Sequence, residues 1–263
     1  MSTRAALLAA CLLAAGCAQL MGRKPVAHDT LASAVPASLP PEGCSPCPPE
    51  VRQGLAQEAA GAWAEALLSY AKAARVDGLC PHGPLGEARV LLASGHPAEA
   101  VQVLEAASRS RPGALLLRAL GDALVAAGDP NGAHAAYADA LRLQPEDQDL
   151  REDSLLALYA AGRHEELAVA LADEAPKSLP LELRRAFGRA CLLTNRGQLA
   201  VDALSACVEE DAADGLAWLD LARALYLAGA DLSARFALQH AAELGVDLGP
   251  LATLLAPAPA GGA

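Results

Sequence analysis

Apolar and small residues recur in this chain at a fixed interval of 33 or 34 residues, and that period constrains the fold more than any other feature. A period of this length is one supersecondary unit that cannot bury its apolar face alone, so neighbouring units must stack. Residues 114–147 carry the pattern most fully: Leu117, Leu120, Gly121, Leu124, Gly128, Ala133, Tyr137, Ala140 and Pro145 fall at positions 4, 7, 8, 11, 15, 20, 24, 27 and 32 of the unit. The spacing predicts two helices. Gly128 and Asp129 turn the chain between them, and Pro145 stops the second. Two antiparallel helices approach closely only where side chains are small, which places the crossing at Gly121 and Ala133. Ala and Leu supply most of the apolar surface in a chain that is 53% hydrophobic but 3% aromatic, which suits packed helices and argues against a large sheet.

The same frame recurs five more times. Residues 47–80 carry Gly54, Gly61, Trp63, Ala66, Tyr70 and Ala73. Residues 81–113 carry Ala88, Leu91, Gly95, Ala100, Leu104, Ala107 and Pro112. Residues 148–180 are degenerate, keeping Leu155, Leu158, Gly162 and Leu171 but placing Leu167 and Glu174 at small-residue positions. Residues 181–214 carry Gly188, Asn195, Ala200 and Leu204, and residues 215–247 carry Trp218, Leu221, Ala222, Leu225, Gly229, Ala234, Leu238 and Ala241. Six such units in register resemble the tetratricopeptide repeat. The resemblance implies an all-α, right-handed superhelical solenoid of six helix-turn-helix repeats over 50–247. A short capping helix and a frayed tail are expected over 248–263, because a solenoid needs its last apolar face shielded.

Ahead of the repeats, Arg4 is the only charge before an apolar stretch, Ala5–Leu13, that is too short to span a bilayer. The run Leu13-Ala14-Ala15-Gly16-Cys17 follows it. This resembles the lipobox of bacterial lipoprotein precursors, which implies a signal peptide over 1–16, removed by the lipoprotein signal peptidase, and diacylglycerol on Cys17. Several acyl chains (palmitate among them) hold a protein on a membrane far better than one. Cleavage removes Arg4 and takes the net charge from −11 to −12. Ala18, where Asp commonly retains a lipoprotein in the inner membrane, implies an outer-membrane protein on the periplasmic face. Residues 17–49 are Pro-rich and lack helical periodicity, as expected of a semi-extended tether.

No catalytic motif, phosphate-cradling loop or metal-ligand run appears, so neither an enzyme nor a cofactor is expected. The acidic balance gives no footprint for nucleic acid, and no small-molecule substrate is expected. His164 reads as a structural histidine with its hydrogen bonds satisfied. Cys191 and Cys207, at core positions, read as buried free thiols. In an oxidising compartment Cys44, Cys47 and Cys80 are candidates for a disulfide. Either Cys44 closes on Cys47, or one of them reaches Cys80. A zinc site from Cys44, Cys47, Cys80 and His82 has permissive ligand types but an unspecific gap.

By the repeat resemblance, positions 2, 5, 9, 12 and 13 of each first helix line a concave face. In the last two repeats the partner-binding candidates there are Arg185, Arg189, Leu192, Leu219, Arg223 and Tyr226: an apolar floor rimmed by arginine, suited to a protein segment with apolar anchors and some acid. Upstream the same positions are mixed, with Arg89 and Arg118 set against Glu58, Asp122, Asp149, Glu152 and Glu182. A lipid-anchored array of six such repeats resembles the pilotins of type IV pilus systems, which implies a secretin subunit as partner. A scaffold for another envelope machine, such as peptidoglycan synthesis, outer-membrane protein insertion or gliding motility, is the alternative.

Overall fold

The computed structural model describes residues 48–77 and 80–255. The expected signal peptide, Cys17, the tether with Cys44 and Cys47, and the tail from 256 onward lie outside the described residues. Among these there are twelve α-helices and no strand, arranged as six helical hairpins. The hairpins are α1 Pro49–Ala59 with α2 Trp63–Val76, α3 His82–Ala93 with α4 Pro97–Ser110, α5 Ala114–Ala126 with α6 Pro130–Leu143, α7 Gln148–Ala160 with α8 His164–Ala170, α9 Leu181–Leu193 with α10 Gly197–Glu210, and α11 Gly215–Leu227 with α12 Asp231–Glu243. No described helix is long and apolar enough to cross a membrane. The fold is an all-α repeat architecture.

Position 15 sets each hairpin turn. Gly61, Gly95, Gly128, Gly162, Asn195 and Gly229 all sit there with φ between 61° and 85°, the left-handed region that closes a helix. The next residue then donates its N–H back five residues: Ala62 to Gln57, His96 to Leu91, Asp129 to Leu124, Arg163 to Leu158, Arg196 to Cys191 and Ala230 to Leu225, at 2.8–3.0 Å. Asn195 is the one non-glycine among them; asparagine tolerates this conformation better than other side chains do. In the third hairpin Asp129 also caps α6 by accepting from Gly132 N–H at 2.9 Å, just before Pro130 opens the helix.

The core forms where small and large positions meet. Position 20 is fully buried in every hairpin, as Ala66, Ala100, Ala133, Leu167, Ala200 and Ala234, and position 24 as Tyr70, Leu104, Tyr137, Leu171, Leu204 and Leu238. Position 8 lies against position 24. A Cβ added to Gly54 would lie 2.6 Å from the Tyr70 ring, one on Gly121 2.4 Å from the Tyr137 ring, and one on Gly188 2.7 Å from Leu204 Cγ.

Two elements depart from the regular repeat. The fourth hairpin is cut short: α8 has seven residues, and a 3-10 turn at Pro176–Ser178 replaces the rest of a second helix. Pro176 keeps an α-helix from resuming across it, because it lacks an N–H and sets Ala175 in extended backbone with ψ 124°. Leu167, Leu171 and Leu179 still bury fully along this stretch. The capping element is a 3-10 helix, Gly249–Leu255, that packs on α12 with Leu248 and Leu251 buried.

The chain divides into two compact units between Ala157 and Leu158. The described part of the N-terminal unit holds α1 to α6 and α7 as far as Ala157. The C-terminal unit holds the end of α7, α8 to α12 and the 3-10 helices.

Candidate protein-binding face

The first helices carry the polar side chains that the core does not use. In the N-terminal unit, Arg89 on α3 grips Glu58 on α1 with Nε and Nη2, at 2.7 and 2.5 Å. The Tyr70 hydroxyl accepts from Arg89 Nη2 at 3.0 Å and donates to Glu58 at 2.8 Å. One hairpin on from Arg89, Arg118 pairs with Asp153 at 3.0 Å. Asp122, 7% exposed, takes the Tyr137 hydroxyl at 2.7 Å. Burial, reinforced by Asp153, pushes the Asp122 carboxyl up to about 6 against the pull of Tyr137 and Arg118. Asp153 and Glu152 are also raised, chiefly by burial.

The Asp122 shift makes a stability prediction. A carboxyl raised on folding holds its proton in the folded chain at pH values where the unfolded chain has lost it, so its contribution falls as pH rises from about 4 to about 6. Asp122→Asn keeps an acceptor for Tyr137 and removes the charge. Thermal unfolding should show the variant more stable at pH 7, by on the order of 2 kcal/mol, with the gain gone by about pH 4. A gain that persists unchanged at low pH would contradict the assignment.

In the C-terminal unit, as in the Arg118–Asp153 pair, the arginine lies on the earlier helix. Arg189 on α9 donates Nε to Asp220 Oδ2 at 2.6 Å, and Arg223, one turn beyond Asp220 on α11, donates Nη1 to Oδ1 at 2.8 Å. Arg189 also meets Tyr159 at the end of α7 through a side-chain hydrogen bond. Arg185 is ion-paired with Asp214 and lies 3.7 Å from Glu182. Asp214 at the same time caps α11 by accepting from the N–H groups of Leu216 and Ala217.

The six partner-binding candidates therefore lie on two adjacent first helices, α9 and α11. Leu192 and Leu219 are buried in the core, each 5% exposed. The rim is less open than the sequence suggests. Arg223 is buried, Arg185, Arg189 and Tyr226 are half-buried, and each of the three arginines is engaged by an acid of this same unit. Asp214 and Asp220 were the residues the sequence reading missed. Asp220 had a visible signal: it breaks an apolar helix three residues before Arg223, the spacing of a facing pair.

Other candidates separate. Cys80 is buried in the wall of a cavity of about 330 Å³ beside Pro81, Pro84 and Glu87, whereas Cys44 and Cys47 lie outside the described residues. His82 is buried with neither ring nitrogen hydrogen-bonded, and burial lowers its pKa. Among the described residues no group of three or more His, Cys, Asp or Glu is placed to hold a metal. Cys191 and Cys207 are buried free thiols; burial pushes the Cys191 thiol up to about 12 and raises Cys207 too. His164 packs on Tyr159 with ring centres 5.2 Å apart, but its buried Nδ1 has no hydrogen-bond partner, so the expectation of a satisfied histidine fails at that atom.

Comparison with known proteins agrees on the fold. Residues 56–158 match the model of the tetratricopeptide repeat-like domain. Among solved structures, the C-terminal part of a TPR repeat-containing protein from Cytophaga hutchinsonii superposes with a TM-score of 0.59 at 15% identity, covering 74% of this chain and 78% of that one. A tetratricopeptide repeat protein from Parabacteroides merdae gives 0.53 at 12% identity over 78% and 96%, and MamA from Desulfovibrio magneticus RS-1 gives 0.50 at 18% identity over 60% and 89%. At these identities the likeness is one of fold. No curated protein matches the chain significantly.

Proposed function

We propose that this chain is a non-catalytic protein-binding repeat array, anchored to the outer membrane through a lipid on Cys17, whose first-helix face in the C-terminal unit holds a segment of a protein partner and assists assembly of an envelope complex. The observation that carries the reading is that Arg189 and Tyr226 are half-buried, and so partly open, on the same two first helices as buried Leu192, Leu219 and Arg223. Arg and Tyr are the side chains most often found at binding hot spots, and a buried apolar floor gives them a dry surface to work from. The envelope location rests on Ala14-Ala15-Gly16-Cys17 behind a short apolar stretch. The partner we favour is a secretin subunit, in the manner of a pilotin.

The anchor and the partner are tested separately. Cys17→Ser should leave unprocessed or soluble precursor, read by fractionation with detergent; a variant that partitions like wild type overturns the anchor. Deleting the gene should deplete heat-resistant secretin multimers on immunoblots. Unchanged multimers exclude the secretin and turn the reading to a scaffold for another envelope machine.

A further inference from the structure

The arginines of the two units are balanced differently. In the N-terminal unit each first-helix arginine described above has a carboxylate of its own: Arg89 holds Glu58 with two donors, and Arg118 holds Asp153. In the C-terminal unit Arg189 and Arg223 share one carboxylate, and both oxygens of Asp220 are taken. Asp220 and Arg223 are buried, with side chains 6% and 11% exposed, while the Arg189 side chain is 34% exposed. Arg223 Nε is buried without an acceptor. A desolvated guanidinium short of acceptors is costly, and a group that brings in a second carboxylate relieves that cost.

We propose that Arg189, Asp220 and Arg223 form a seat for one carboxylate side chain of the bound segment, an inference that rests on the face proposed above. Asp220 holds the two guanidinium groups at fixed spacing, and the incoming carboxylate takes the remaining donors of Arg189, the more open of the two, with Arg223 behind it supplying uncompensated charge. Planar guanidinium forks match carboxylate geometry. The charge sets the ligand class. Two arginines against one aspartate leave a single positive charge, which one carboxylate neutralises. A phosphate dianion would overshoot it beside Asp220, whose two oxygens are already engaged. The neighbours set the context. Leu192 lies three residues after Arg189, and Leu219 four before Arg223, so each shares a helix face with its arginine. Half-buried Tyr226, three residues after Arg223, adds a partly open ring to the same face, so an acidic residue flanked by aliphatic ones fits.

The test uses the full chain in detergent and two end-blocked peptides, acetyl-Ala-Leu-Glu-Leu-Ala-amide and the same peptide with Gln in place of Glu. Calorimetry gives affinity, and the arginine Nε–H correlations of proton–nitrogen spectra give location. The Glu peptide should bind about tenfold tighter or more than the Gln peptide at low salt and should move the Arg189 and Arg223 resonances. In Arg189→Gln, whose helicity checks its folding, the preference should disappear. Equal affinity for the two peptides overturns the seat but leaves the protein-binding face standing. Binding of the Glu peptide that moves neither arginine overturns the seat and places binding elsewhere. Binding of neither peptide also overturns the seat, and the face is then judged by partner capture alone.

Discussion

Gly121→Leu is expected to cost the N-terminal unit about 3 kcal/mol or more, read as a lower thermal midpoint or a lower denaturant midpoint. The reason is geometric. A mere Cβ at Gly121 would lie 2.4 Å from Cε1 of the Tyr137 ring, closer than real Cβ contacts come. The ring cannot swing aside cheaply. It is 3% exposed and packed with Ala133 and Ala140, and its hydroxyl is the hydrogen-bond donor that Asp122 has in its buried site. Displacing Tyr137 would leave that carboxylate without it, adding a desolvation cost to the steric one. Gly113→Ala is the control, because nothing lies within 4 Å of a Cβ there. Ser38→Leu, in the expected tether, should also leave the midpoint unchanged. The clash should couple to its partner as well: Gly121→Ala should cost less in a Tyr137→Ala background than in the wild type. Equal midpoints for Gly121→Leu and Gly113→Ala would refute the register in which position 8 faces position 24.

That register was legible in the residues themselves, because each repeated position answers to a single physical demand. A left-handed turn demands Gly or Asn, which exposes position 15 in every hairpin, Asn195 included. A close helix crossing demands a small residue, which exposes Gly121 and Ala133. Repeat four was legible as degenerate from Leu167 and Glu174. Its shortening to Ala170 has no such single-residue signal, although Pro176 does bar an α-helix from running on to the end of the unit. The cap at Gly249–Leu255 was placed correctly along the chain but takes the tighter 3-10 form.

The polar face was harder to read for a physical reason. Repeat periodicity fixes what is small and what is large, but not which charged side chains meet across neighbouring helices. Arg185, Arg189 and Arg223 could be placed on one face from their positions. Whether they point to solvent or to an acid depends on side-chain reach between α9 and α11, which a one-dimensional pattern does not carry. Asp214 doubles as a helix cap and so read as local structure, and Asp220 hid among leucines. The consequence is practical. Arg189→Glu would set two carboxylates side by side at Asp220, so a neutral substitution tests binding more cleanly than a charge reversal.

The largest functional effect is therefore expected from Arg189→Gln combined with Tyr226→Ala. Both side chains are half-buried on the first-helix face, and Asp220 retains Arg223 as a partner when Arg189 is removed. Side chains of these types are worth about 2 kcal/mol each at a hot spot, roughly thirtyfold apiece, so losing both should reduce a micromolar interaction below detection. Phe236→Ser, on the second helix α12 and 59% exposed, changes a surface outside the proposed site and serves as the control. The decisive measurement is affinity capture from crosslinked envelopes with wild type, the double variant and Phe236→Ser, each first shown to keep its helicity and thermal midpoint. Wild type and Phe236→Ser should retain the same partner and the double variant should lose it; a folded double variant that captures that partner at the wild-type level would contradict binding on this face.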